Sequence, residues 1–183
     1  MKLSCLVIIL ALGLALPLGA AAPAAAQARP PAEDPLAAFA DSLTTPPNPA
    51  ALTVKGGVYV PAYSTLRAVS GKTRLDFAIT LSIQNASEDK PLVLERIDYF
   101  DTAGKPVEKF LAKPVALRPF GTLEIFIARD DVRGGTGANF VVGWAAAGAI
   151  AEPVIETVMI ASQGNSSYSF VSQGRPIRAI GAK

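Results

Sequence analysis

Leu75, Phe77, Ile79, Leu81 and Ile83 alternate with Asp76, Ala78, Thr80, Ser82 and Gln84. A period of two is the signature of a β-strand, in which successive side chains point to opposite faces of a sheet. Such a strand buries one face and wets the other, so the chain must supply a second apolar layer to cover it. That requirement excludes a helical bundle and points to stacked antiparallel sheets.

The rest of the chain supplies the partners. Residues 57–63 read as a first strand and 92–101 as another, whose inward positions move from Leu92 and Leu94 to Ile97 and Tyr99. This change of register places a bulge near Glu95 and Arg96. Asp101 and Gly104 occupy the first and last positions that a type I turn prefers, and 107–111 returns as the hairpin partner. Further strands are expected at 123–127, at 139–145 with Trp144 as core anchor, at 154–162 and at 168–172. Short strands spaced by turns predict an all-β fold, a single Ig-like antiparallel β-sandwich of about 7–8 strands, with a closed barrel as the alternative. The Cys, Trp and Cys pattern of immunoglobulin domains is absent.

Ahead of this domain the chain opens with Lys2, an apolar run and then small residues ending Ala26-Gln27-Ala28. That order is a secretory signal peptide, with cleavage expected after Ala28. Pro17 and abundant alanine weaken the rival reading, an uncleaved membrane anchor. Residues 29–51 are rich in Pro and Ala and read as a flexible linker, with a short helix at 36–43 as a lesser alternative. The expected organisation is therefore a leader at 1–28, a linker at 29–51, a sandwich at 52–178 and a tail at 179–183.

Cleavage would remove Cys5, the single cysteine, and take 28 residues from 183 to leave 155. The mature chain would then hold neither Cys nor His, which excludes disulfides, serine and cysteine triads and His-ligated metals. No transmembrane helix is expected in it. The net charge of +2 becomes +1 with loss of Lys2, and Lys and Arg are scattered, so no nucleic-acid partner is expected.

The residues that invite a chemical reading are few. Gly134-Gly135-Thr136-Gly137-Ala138-Asn139-Phe140 has the look of a phosphate loop, but a strand follows and the Lys is missing. Glycines at positive φ with Asn139 bonding nearby backbone explain it more simply. Recognition through Thr136 and Asn139 is the lesser alternative. Asp98, Asp101, Asp130 and Asp131 offer oxygen ligands of the kind calcium takes, without a dense ligand run; solvated turn carboxylates are the simpler reading, and no metal or cofactor is expected. Glu156 lies in an apolar strand, where it faces solvent or pairs with Arg96 or Arg129, and only burial beside a second acid would make it catalytic. Tyr63, Tyr99 and Tyr168 could form an aromatic platform, although aromatics in strands are more often packing residues.

The segments 58–64, 81–85, 97–101 and 134–140, continuing through 153–160 and 169–172, resemble the bacterial exported family called domain of unknown function 3124. The resemblance runs from about Tyr59 to Ile177. It implies a small secreted or membrane-associated domain and brings no activity, ligand or catalytic residue. The expectation is a non-enzymatic binding or interaction module, periplasmic or secreted, with a protein or envelope-component partner. A calcium-dependent carbohydrate-binding module is the alternative, and a carboxylate-dependent hydrolase the third reading.

Overall fold

Alternating apolar residues do build the two layers of a sandwich. The computed structural model describes residues 35–68 and 70–177; the expected leader, its cleavage point and the tail from 178 onward lie outside the described residues. Thirteen strands follow in order: β1 (Leu43–Thr44), β2 (Val54–Pro61), β3 (Thr65–Ala68), β4 (Thr73–Asp76), β5 (Ala78–Gln84), β6 (Leu92–Phe100), β7 (Pro106–Lys109), β8 (Val115–Leu117), β9 (Thr122–Ile127), β10 (Asn139–Ala146), β11 (Val154–Gln163), β12 (Ser166–Gln173) and β13 (Arg175–Pro176). Seven of them form one sheet in the order β1-β8-β6-β10-β2-β13, with β7 also on β6. Four form a second sheet in the order β12-β11-β5-β9, and β3 pairs with β4 as a separate hairpin. Neither sheet closes on itself, so the barrel alternative falls.

The core lies between the two sheets. Val58, Val60, Leu94, Ile97, Tyr99, Phe140 and Val142 of the larger sheet join Ile79, Leu81, Ile83, Leu123, Ile125 and Met159 of the smaller one in a single buried cluster. The strand richest in alternation, β5, sits at the centre of the smaller sheet, between β11 and β9. Its neighbour across one residue, β4, continues the same alternation with Leu75 buried, but pairs with β3 instead. Phe77 marks the change of partner, its N–H donating to Ser64 O at 3.0 Å.

The bulge falls where the alternation of β6 breaks. β10 pairs Gly143 with Arg96 and then Trp144 with Leu94, skipping Glu95. Both Glu95 and Arg96 are exposed while three residues on either side are buried. An extra residue thus reverses which parity faces inward, and that is why both Leu94 and Ile97 reach the core.

Residues 35–51 of the Pro/Ala tract pack against the domain, where the sequence reads as a flexible linker; 29–34 lie outside the described residues. A 3-10 helix spans Ala37–Ser42, and β1 then pairs with β8, Leu43 opposite Leu117. Leu36, Phe39 and Leu43 pack against the core, and Leu52 against Val93, Ala116 and Ala145 on the outer face of the larger sheet. Leu36 and Phe39 stand three residues apart, one turn of a 3-10 helix, and Leu43 follows in the extended β1.

Candidate functional site

The glycine-rich loop is a clasp. Gly135–Gly137 makes one 3-10 turn, and only Gly135 of the three expected glycines has positive φ, at 72°. Gly134 instead has φ −69°, so its requirement is space: a Cβ there would strike the Tyr99 hydroxyl and the Ala138 side chain. Thr102 holds the loop by donating from N and Oγ1 to Gly134 O, both at 2.9 Å, and accepting from Gly137 N at 2.9 Å. Ser64 N and Oγ reach Gly135 O at 3.1 and 3.2 Å. Thr136 is exposed at the apex, and Asn139 Nδ2 donates to Gly137 O at 3.4 Å.

Three of the four aspartates are committed to separate partners. Asp98 accepts from Arg96 Nε at 2.6 Å, and the guanidinium lies 5.7 Å from the Phe100 ring centre. Asp101 Oδ1 accepts from Ala103 N and Lys105 N at 2.8 Å each, closing the expected turn with Gly104 at φ 75°. Asp131 accepts from Arg133 at 2.6 and 2.8 Å, and Arg133 also donates to Glu108 at 2.9 Å. These two carboxylates raise the Arg133 guanidinium further above its ordinary range. Asp130 is exposed on the same loop. Among the described residues no three acidic, His or Cys side chains come together as a metal-binding group.

The three tyrosines do not share a platform. Tyr99 is fully buried beneath Gly134, stacked at a tilt on Phe140 with ring centres 4.8 Å apart. Burial raises its pKa above 10.0, opposed by the interaction with Ser64, and its hydroxyl has no hydrogen-bond partner of good geometry. Tyr63 is half-buried against Phe170 at 5.8 Å, whereas Tyr168 is exposed on β12. Long-range packing, invisible in local sequence, separates them.

Glu156 points outward from the smaller sheet, with Ser82 opposite on β5 and Gln173 on β12. Glu124 lies beyond Ser82 on β9, about 10 Å away by two strand spacings. The two acids stand on the same outer sheet face, Glu156 half-buried and Glu124 exposed. Arg96, one of the cations considered for Glu156, is on the other sheet with Asp98.

That same face carries the surface that local reading missed. Phe126, Thr80, Val158 and Val171 lie in one cross-strand row over β9, β5, β11 and β12. The next row holds Ala78 and Ile160. Phe126 is 59% exposed, Ile160 52% and Val171 54%. The signal in the sequence was the apolar run of β11 from Val154 to Ala161, whose odd positions are buried and whose even positions, apart from Glu156, are apolar as well. A separate cavity of about 520 Å³ opens at one sandwich margin between Val54, Val58, Trp144, Ile150, Ile155 and Ile177.

Fold and surface together define an antiparallel β-sandwich with apolar side chains on an outer sheet face and with Asp98 and Asp131 held by arginines. A family model described as "Protein of unknown function (DUF3124)" matches residues 55–177, and the chain belongs to that family. The "Crystal Structure of Thermotoga maritima 1070" is similar at 15% identity with a TM-score of 0.39, covering 66% of this chain and 92% of that one. No curated protein matches the chain.

Proposed function

We propose that the chain is a non-catalytic interaction module of the bacterial cell envelope, exported by its leader and bound to a protein or envelope component through the outer face of the smaller sheet. The observation that carries this reading is the cross-strand apolar row of Phe126, Val158 and Val171 with Ile160 beside it. The wet face of an antiparallel sheet ordinarily alternates to polar residues, and contiguous exposed apolar area marks contact surfaces. The leader at 1–28 supports export, and the absence of His narrows catalysis to other side chains.

The test is a double substitution, Phe126→Ser with Ile160→Ser, which leaves the core untouched. Wild-type chain expressed in its host should co-fractionate with envelope material, and the variant should lose that association while melting within a few degrees of wild type. Equal association of a folded variant would remove the assigned face; recovery of wild type entirely as a free species would remove the module itself.

A further inference from the structure

An open sheet edge offers a row of unpaired N–H and C=O groups, and folded proteins blunt such edges with short strands, proline, charge or a covering segment. Three of the four outermost strands of the two larger sheets carry one of those devices. β1 and β13 are two residues each, β1 followed by Pro46 and Pro47 and β13 made of Arg175 and Pro176. β9 bears Glu124, packs near the 3-10 helix Ala37–Ser42 and runs on into Arg129, Asp130 and Asp131. β12 has none. It is eight residues long, mostly exposed, and no Asp, Glu, Lys, Arg or Pro occurs anywhere from Gln163 to Gly174.

The hairpin fixes which groups that edge presents. Gly164 and Asn165 form a two-residue turn with Gly164 at φ 58°, the glycine position of a type II′ turn. Gln163 and Ser166 then form the closing hydrogen-bonded pair, and the ladder to β11 continues at every second residue. Gly174 N to Ile155 O at 2.8 Å follows the same parity. Consequently Ser167, Ser169, Val171 and Gln173 direct their N–H and C=O groups away from β11, along the free side.

We propose that β12 pairs antiparallel with β12 of a second copy of this chain, about a two-fold axis beside Ser169 and Phe170. Charge chooses the occupant. In a self-pair every side chain meets the neighbourhood of its own copy, so any charge in the strand would face like charge, and β12 is the one outer strand of more than two residues in the two larger sheets that carries none. Pairing of β12 with itself also closes the assembly, whereas β12 on the obstructed β9 edge of the next copy would propagate without end. The dimer joins two four-stranded sheets into one of eight. Both outer faces then lie on the same side of the joined sheet. This extends the proposed interaction face but does not rest on it, since the edge is defined by backbone and charge alone.

Sedimentation of the purified full chain at tens of micromolar should give twice the chain mass, falling twofold to the monomer in Ser167→Lys/Ser169→Lys with an unchanged β-sheet circular dichroism spectrum. The amides of Ser167, Ser169 and Val171 should exchange at least tenfold more slowly in the wild type at high concentration than after dilution to monomer. That second reading stands even if the lysine variant fails to fold. A wild-type monomer at about 100 µM, a folded lysine variant that stays dimeric, or concentration-independent fast exchange at the three amides would each overturn the pairing. The Phe126→Ser/Ile160→Ser variant should remain a dimer, so loss of envelope association and loss of dimerisation are separable outcomes.

Discussion

Trp144 occupies the notch left by Gly56. The two are register partners on β10 and β2, and a Cβ on Gly56 would run into the indole at Cε2, Cζ2 and Nε1. Gly56→Ala must therefore move a large side chain that is only 8% exposed, and should cost about 1–3 kcal/mol as overpacking does. Gly57→Ala is the control, because its Cβ would meet only Ile177, at 3.8 and 3.9 Å. Urea unfolding of the two variants should separate them by at least about 1 kcal/mol.

The Tyr99 hydroxyl is buried without a well-aligned partner. Tyr99→Phe removes a polar atom that folding has desolvated and should be neutral to slightly stabilising, within about 1 kcal/mol. The pH dependence follows from the raised pKa. Above pH 10.0 the unfolded chain loses the phenolic proton while the folded chain keeps it, so wild type should lose about 1.4 kcal/mol per pH unit relative to Tyr99→Phe until the folded group titrates. Below that pH the difference between the two proteins should be flat. Chemical denaturation from pH 8 to 11 tests both statements.

Asn85 is a staple between turns. Its Nδ2 donates to Lys90 O at 2.8 Å, Leu117 O at 3.2 Å and Arg118 O at 2.9 Å, and its Oδ1 accepts from Ser87 N at 3.0 Å, all with the residue 2% exposed. Asn85→Ala strands those backbone groups and should cost about 2–4 kcal/mol in denaturant midpoint analysis.

Calcium should have no effect on stability. Asp98, Asp101 and Asp131 already accept from arginine or backbone donors. Melting in millimolar calcium and in chelator should agree within about 1 °C, because a ligand stabilises only the state it binds. A rise of several degrees that Asp131→Asn abolishes would revive the calcium reading.

Features set within a few residues are legible in the sequence. The alternation through Ile83 marked β5 as half-buried, the register change marked the bulge at Glu95, and Asp101 with Gly104 marked the turn. All three are effects of side-chain period and turn chemistry within a few residues. The strands that escaped, β1, β3, β4, β8 and β13, are two to four residues long and exist through pairing with distant chain, as Leu43 with Leu117. Phe39 escaped for the same reason, since its packing surface is brought by other elements. The candidate site was legible only as residue types. Asp98 looked available until Arg96 was placed two residues away on the same face, and Gly134 looked conformational until Tyr99 was placed beneath it. The row from Phe126 to Val171 depends on three strand registers, which no single segment specifies.

The outer face of the smaller sheet is the proposed contact surface. Its most direct test is a photo-crosslinking amino acid placed at Thr80, at the centre of the apolar row, in the full chain expressed in its native host. A discrete adduct is expected from Thr80, lost when Phe126→Ser and Ile160→Ser are combined, and absent from a probe at Lys55 on the larger sheet. No adduct from Thr80, or equal labelling from Thr80 and Lys55, would contradict the assignment of this face.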